Sequence, residues 1–466
     1  MPGTERYVRA LSGSGLAIIF DRAPSAARRR ARRGEDPVTS PAMPVPRPAY
    51  ASLVLAILFL VYVLNFLDRQ LLSILAKPVQ DELGLTDGEL GLLGGLYFAL
   101  FYCVIGVPVA WLADRGNRVR ILALACALWS AATIACGLAR SYPELAAARM
   151  AVGIGEAGGV PPSYSIISDY FPPHRRGMAL GLYNLGPPIG SALGVGFGAA
   201  MAAAYDWRRA FLMLGLAGLA AAAITWGVVR EPSRGGTDVP SEPSDDMPPL
   251  AFWPALRLFF GTPALRLVAL AGGATQFVTY ATLNFTTLFL MREKGMSLSE
   301  IALWYALLLG VVVSVGTYAS GWLVDRFSAR RPQAYGLIPA IALLLALPCF
   351  IGFVRTPAWP IAMMFLAGST CFNCFYLTPS VTLVQNIVPA ARRTVSGAVL
   401  LLVMNLIGLG LGPTYLGAMS DWLRPSYPDD SLQMAFYSLI PFYGLAAGLY
   451  FALARTLTRP GDAGAA

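Results

Sequence analysis

Four ionisable residues interrupt stretches that are otherwise apolar: Asp68 and Arg69 side by side, and Arg149 and Glu156 seven positions apart. A charge at the centre of a spanning helix costs about 2.5–3.5 kcal/mol or more unless it faces a partner or a wet cavity, so such residues mark binding sites and ion paths. Asn65, Asp68 and Arg69 stand at i, i+3 and i+4 and share one helical face. Arg149 and Glu156 share another, about 10 Å apart at 1.5 Å per residue. Arginine in such a setting attracts an anionic group. Carboxylates such as Asp68 and Glu156 can hold a proton in one state and pair with Arg149 in another, which would couple movement to pH. The one histidine, His174, lies in the loop Pro172-Pro173-His174-Arg175-Arg176, so a buried carboxylate must carry any proton. Asp68 lies nine residues before Lys77, and Arg149 five after Glu144. An Asp68–Arg149 pair in one half of the bilayer is therefore expected, with Glu156 deeper. Two plainer readings compete: a static pair holding two helices in register, or a span that simply ends at Asp68.

These charges need helices to hold them, and composition supplies the helices. Of 466 residues, 56% are hydrophobic and 13% charged, against about a quarter charged in soluble domains. The apolar residues come in blocks of about twenty, the length that crosses a bilayer as a helix, and without the alternation of a β-barrel. An all-α membrane protein with twelve transmembrane helices is expected, at 50–76, 88–112, 120–140, 143–168, 177–202, 207–229, 266–290, 299–323, 333–354, 357–382, 394–418 and 432–455. Residues 1–49 read as a basic, disordered tail whose true start could be Met43, residues 230–265 as a linker and residues 456–466 as a C-terminal tail. Two six-helix bundles result, 50–229 and 266–455.

The net charge of +9 does not indicate nucleic acid, because nine of the 35 Lys and Arg residues fall in the first 47 positions and most others flank the spans. With the N-terminus inside, the inner loops and C-tail carry sixteen Lys and Arg residues and the outer loops eight. Positive charge collects on the cytoplasmic side, so both termini are expected there. The six cysteines lie in apolar segments and read as free buried residues. Cys371-x-x-Cys374 lacks a second ligand pair for a metal. Gly153-Ile154-Gly155-Glu156-Ala157-Gly158-Gly159 is no phosphate loop, since no strand precedes it. Its small residues let helix backbones approach. With no nucleophile–base or metal-ligand set, an enzyme is not expected, nor is a cofactor.

The halves repeat. Trp111-Leu112-Ala113-Asp114-Arg115 closes the second span and Trp322-Leu323-Val324-Asp325-Arg326 the eighth, at a constant offset of 211. Paired six-span repeats are the architecture of secondary transporters with a binding site between the halves. The second half offers softer groups: Gln276, Tyr280, Asn284 and Thr287 along one face of the seventh span, and Thr370, Asn373 and Tyr376 in the tenth. Tyr97, Phe98, Phe101, Tyr102, Phe372 and Phe375 would give a cavity an apolar wall, and ordinary helix packing explains each of these equally well. Gly186-Pro187-Pro188 and Gly412-Pro413 read as bend points.

Residues 50–455 resemble the major facilitator superfamily, whose pattern Gly-x-Leu-Ala-Asp-Arg-x-Gly-Arg-Arg is matched after the second span, with Ala110 and Asn117 in place of its glycines. The resemblance implies inner-gate roles for Asp114, Arg118 and Asp169, to which the repeat adds Arg115, Asp325 and Arg326. The stretch from Asn65 to Arg69, with Arg149 and Gly153-x-Gly155-Glu156-Ala157, resembles the Spinster family within it. That likeness implies a transporter of an amphiphilic, lysolipid-like or sphingolipid-like substrate; a monomer in a bacterial inner membrane is expected. The likeness implies Asp68, Arg149 and Glu156 as the coupling and binding charges, with Asp68 and Glu156 carrying protons and Arg149 binding substrate; the helix faces read above add Asn65, Arg69, Gln276, Tyr280, Asn284 and Asn373 as expected substrate-binding groups. An Asn-x-x-Asp-Arg motif also occurs in organic-anion symporters of the superfamily, so a small-anion symporter is the alternative within transport. A non-transporting membrane sensor is the alternative outside it.

Overall fold

The computed structural model describes residues 48–234, 252–328, 330–388 and 393–458. Residues 1–47 and 459–466 of the expected tails and residues 235–251 of the expected linker thus lie outside the described residues. The first group of helices comprises α1 Pro48–Ile74, α2 Ala76–Leu83, α3 Asp87–Gly94, α4 Leu96–Arg115, α5 Arg118–Leu138, α6 Tyr142–Glu156, α7 Val160–Tyr170, α8 Pro173–Tyr183, α9 Gly186–Ala204 and α10 Trp207–Val228. A helix inside the expected linker follows, α11 Phe252–Gly261. The second group comprises α12 Pro263–Arg292, α13 Leu298–Leu307, α14 Val313–Ser328, α15 Ala334–Arg355, α16 Trp359–Asn373, α17 Leu377–Ile387, α18 Arg393–Asn405, α19 Gly412–Leu423, α20 Ser431–Tyr437 and α21 Ile440–Thr456.

Ten of the described helical stretches are long and apolar enough to cross a membrane. The two other expected spans differ for instructive reasons. Residues 143–168 form two helices, because Pro161 and Pro162 lack the N–H groups that would bond back to Ala157 and Gly158. The chain turns instead through tight bonds from Gly158 N to Gly155 O and from Gly159 N to Glu156 O. The seventh span is the single 30-residue helix α12, whose apolar character is diluted by Thr275, Gln276, Thr279, Tyr280, Thr282, Asn284, Thr286 and Thr287. Both exceptions carry residues of the site described below.

Proline and glycine punctuate other helices. Gly186-Pro187-Pro188 stands at the start of α9, after a break from α8. Gly412-Pro413 opens α19 just after a π-helical turn at Leu406–Leu411. Proline cannot continue the i→i−4 ladder, and a wider turn is one way to absorb that loss. Large apolar side chains such as Leu124, Leu216, Val311, Tyr318 and Met364 are exposed, as the hydrocarbon of a bilayer requires of a helical protein.

Within the first group α5 packs on α6 and α10, and α1 packs on α9. Within the second α12 and α15 pack on α21. Between the groups α3 meets α19, and α9 meets α13. The hydrogen bonds from one group to the other gather where α3 begins and α12 ends: Arg292 to Asp87, Ser420 to Asp87, and the Asp87 and Gly88 amides to Asp421. We call this the Asp87 end. The opposite end of α4 and α5 is the Arg118 end.

Candidate functional site

Asp68 lies in the last third of α1 and is 1% exposed, with the helix running on to Ile74. Arg149 and Glu156, both on α6, are 2% and 1% exposed. Their positions follow from the glycines around them. A side chain at Gly153 would collide with the Phe98 backbone on α4, and one at Gly155 with the Trp129 backbone on α5. Only glycine lets α6 come this close to both neighbours.

The charges pair crosswise. Arg149 Nη1 lies 3.8 Å from Asp68 Oδ1, close enough for attraction but too long for a hydrogen bond. Arg69 Nε donates to Glu156 Oε2 at 2.7 Å. In this state the partner of Glu156 is Arg69, and Arg149 faces Asp68. Neighbouring residues on a helix point about 100° apart, so Asp68 and Arg69 reach different partners, and Arg149 and Glu156 sit two turns apart to receive them. Two acids and two arginines leave the site formally neutral when all are ionised.

Aromatic faces complete the enclosure. The Arg69 guanidinium carbon lies 4.9 Å from the ring centres of Phe66, Phe98 and Tyr102, and that of Arg149 lies 5.4 Å from Phe98. Phe98 thus touches both cations, a favourable contact worth about 2 kcal/mol when desolvated. Of the aromatics named from sequence, Phe98 and Tyr102 are in this cage, stacked at 5.6 Å.

A cavity of about 50 Å³ opens beside these groups, lined from the first group by Phe66, Arg69, Gln70, Phe98 and Arg149, and from the second by Tyr280 and Asn284. At about 10–15 Å³ per water on this measure it has room for a few waters or a small polar group. Buried polar atoms nearly always have partners, yet Asn65 Oδ1, Asp68 Oδ1, Gln70 Nε2, Arg149 Nε and Nη1, and Glu156 Oε1 have none. These are half of the twelve such atoms among the described residues, and a polar ligand or water would satisfy them.

The remaining expected site residues divide. Tyr280 and Asn284 face the cavity, although Asn284 Nδ2 donates to Tyr280 O on its own helix. Gln276 Nε2 donates to Asn405 Oδ1 at 2.9 Å. Asn373 is not among the residues lining this cavity; its Nδ2 donates to Tyr443 Oη at 3.0 Å in a cluster with Ser369, while its Oδ1 has no partner. Sequence reasoning missed Thr133, whose hydroxyl lies within hydrogen-bond reach of both Asp68 Oδ2 and the Trp129 carbonyl. It carries one proton for two acceptors. Its signal was a polar residue in the apolar run of α5. Gln70, beside the charged pair, was equally visible.

At the Arg118 end the Asp114 side chain lies outside what is described. Arg118, 2% exposed, donates to Asp169, to Glu231 Oε1 at 2.6 Å, to Ser165 Oγ at 2.7 Å and to Pro232 O at 2.9 Å. The other Glu231 oxygen accepts from Val119 N. These bonds stay within the first group and tie the start of the expected linker onto it. Arg115 stacks on Trp111, Arg326 reaches towards Trp322, and Asp325 is exposed. Breaking one partner out of a buried ion pair costs about 3–5 kcal/mol. Arg118→Gln is therefore expected to lower the melting temperature in detergent by several degrees, with Arg118→Lys intermediate; equal melting of all three proteins would contradict it.

Comparison with known proteins agrees with this architecture. Residues 58–413 match the family model of the Major Facilitator Superfamily. The chain is 30% identical to an MFS-type efflux pump of Mycolicibacterium smegmatis over 410 residues, covering 88% of this chain and 93% of that one. It is 25% identical to human protein spinster homolog 1, covering 83% and 76%, and 25% identical to a hexuronate transporter of Bacillus subtilis, covering 79% and 87%. Among solved structures, a bacterial homologue of the human lysosomal transporter Spinster, inward-facing and unoccupied, matches with a TM-score of 0.80 and 33% identity over 88% of this chain and 98% of that one.

Proposed function

The chain belongs to the Major Facilitator Superfamily, as a transporter of Spinster type, and from that premise we propose that it couples protons to the movement of an amphiphilic, lysolipid-like or sphingolipid-like substrate by alternating access. The observation that carries the reading is the neutral set of two buried acids and two buried arginines with unmet hydrogen-bonding atoms beside a cavity lined by both groups of helices. Protonating either acid leaves one net positive charge in a low-dielectric site, where it is costly unless an anion enters. Proton and anionic head group then favour one another's binding, and by linkage each strengthens the other equally. Arg149, with two unpartnered nitrogens, is the receiver for the head group; Asp68 and Glu156 are the titrating groups. Arg69 and Asn65 shape the site, and Tyr280, Asn284 and Gln276 belong to the wall that moves with the second group.

The orientation that fits the loop charges puts both termini in the cytoplasm of a bacterial inner membrane, with a monomer as the working unit. The Asp87 end is then outer and closed, which accords with the inward-facing form of the solved Spinster homologue. A second reading, a proton symporter of small organic anions, is favoured by the hexuronate-transporting relative and by a cavity of about 50 Å³. Purified protein separates the two. Lysolipids added to a short-chain detergent should raise the melting temperature in a saturable way that sugar acids do not reproduce. Stabilisation by sugar acids alone would transfer the assignment to the second reading.

A further inference from the structure

Resting on the alternating-access reading, we infer that Asp87, Arg292 and Asp421 form the gate that closes the Asp87 end, a set of positioning residues distinct from the cavity charges and from the repeated Asp-Arg motifs. Asp87 is 1% exposed at the first residue of α3. Arg292, the last residue of α12, places Nη1 3.0 Å from both of its carboxylate oxygens. Ser420 Oγ on α19 donates to the same carboxylate at 2.7 Å, as does Gln80 Nε2 at 2.8 Å. Arg292 Nη2 in turn donates to Gln80 Oε1. A second carboxylate works in the opposite sense: Asp421 on α19 accepts from the backbone amides of Asp87 at 3.1 Å and Gly88 at 2.7 Å. Those amides open α3, where a helix favours negative charge. Each group of helices therefore lends a carboxylate to the other.

Three features make this a gate and not simply glue. First, its partners come from opposite groups, whereas the bonds of Arg118 reach only the first group and the start of the linker. Second, the backbones meet almost without side chains between them. A side chain at Gly91 would strike the Pro413 carbonyl, and one at Gly417 would strike the Asp87 carbonyl, so small residues let α3 and α19 seal together. Third, the cross-links are ionic and lie near a membrane surface. Their charges can return to water when the groups part, so the favourable pairing and the recovered hydration nearly cancel. A contact of that kind can be broken and remade, as a transport cycle needs. Between gate and cavity, Ser73 Oγ reaches the carbonyls of Leu283 and Asn284 at 3.1 and 2.8 Å. That bond joins the helix of Asp68 to the cavity wall.

The test uses spin labels on full-length protein in nanodiscs, after replacement of the native cysteines. One pair, at exposed Asp81 and Tyr427, spans the Asp87 end; another, at exposed Arg120 and Arg330, spans the Arg118 end. Arg292→Gln and Asp421→Asn should each raise the population with a longer distance at the Asp87 end about fivefold or more, the low end of ordinary coupling between sites. Arg292→Lys should restore part of the closed population. If the Arg118 end closes as the other opens, both the gate and alternating access stand. If the Asp87 end opens with no change at the Arg118 end, the gate stands and alternating access fails. An unchanged distance distribution at the Asp87 end in both Arg292→Gln and Asp421→Asn, with each variant folded, would overturn the inference.

Discussion

Arg149→Gln is expected to lower transport at limiting substrate at least about thirtyfold, because truncating one member of a buried charged contact costs about 2–5 kcal/mol and about 1.4 kcal/mol is a factor of ten. It should also weaken the fold, since Asp68 at 1% exposure would lose its nearest counter-charge. The two effects separate in the double variant. Asp68→Asn combined with Arg149→Gln removes the unpaired charge, so melting should recover while transport does not. Arg149→Lys retains the charge without the planar fork and should bind more weakly with little loss of stability. Recovery of transport in the double variant would mean that Arg149 serves only to pair with Asp68.

Glu156→Gln should give a stable protein that no longer responds to a pH gradient. Glutamine keeps an oxygen for the Arg69 Nε bond now made at 2.7 Å and imitates the neutral acid. With Asp68 ionised the site then carries one net positive charge, which the glutamine can no longer relieve. Substrate exchange down its own gradient should persist, while accumulation driven by an imposed proton gradient is lost. Asp68→Asn tests the other acid in the same assay. If it alone removes the gradient response and Glu156→Gln retains it in full, the titrating role belongs to Asp68 and Glu156 is a fixed partner for Arg69.

Much of this site was legible because buried charge is rare enough to count. Asp68, Arg69, Arg149 and Glu156 stand out from their spans without any alignment, and the glycines around Glu156 announce close helix packing. The crosswise pairing was not legible, because helical spacing says which residues share a face and nothing about which face a neighbouring helix presents. Thr133 was hidden for a different reason: one threonine in a spanning helix usually bonds back to its own carbonyls, as it also does here. The break after Glu156 was written in Pro161-Pro162, yet a hydropathy window runs across it. The Asp87 cluster was invisible in sequence, since Asp87 and Arg292 stand 205 positions apart and each reads alone as an ordinary end-of-helix charge. Glu231 was obscured in the same way, at the head of a stretch whose composition reads as linker.

The most direct test of coupling reads the wild-type protein. Wild-type protein in sealed vesicles containing a pH-sensitive dye, with no gradient imposed and the membrane potential clamped, is given an inward gradient of lysolipid. Proton-linked transport requires a substrate-dependent change of internal pH that is absent from protein-free vesicles and from vesicles bearing Glu156→Gln. Lysolipid entry into protein-containing vesicles with internal pH unchanged would contradict the central claim and leave a transporter in which the buried acids serve only to hold their arginines.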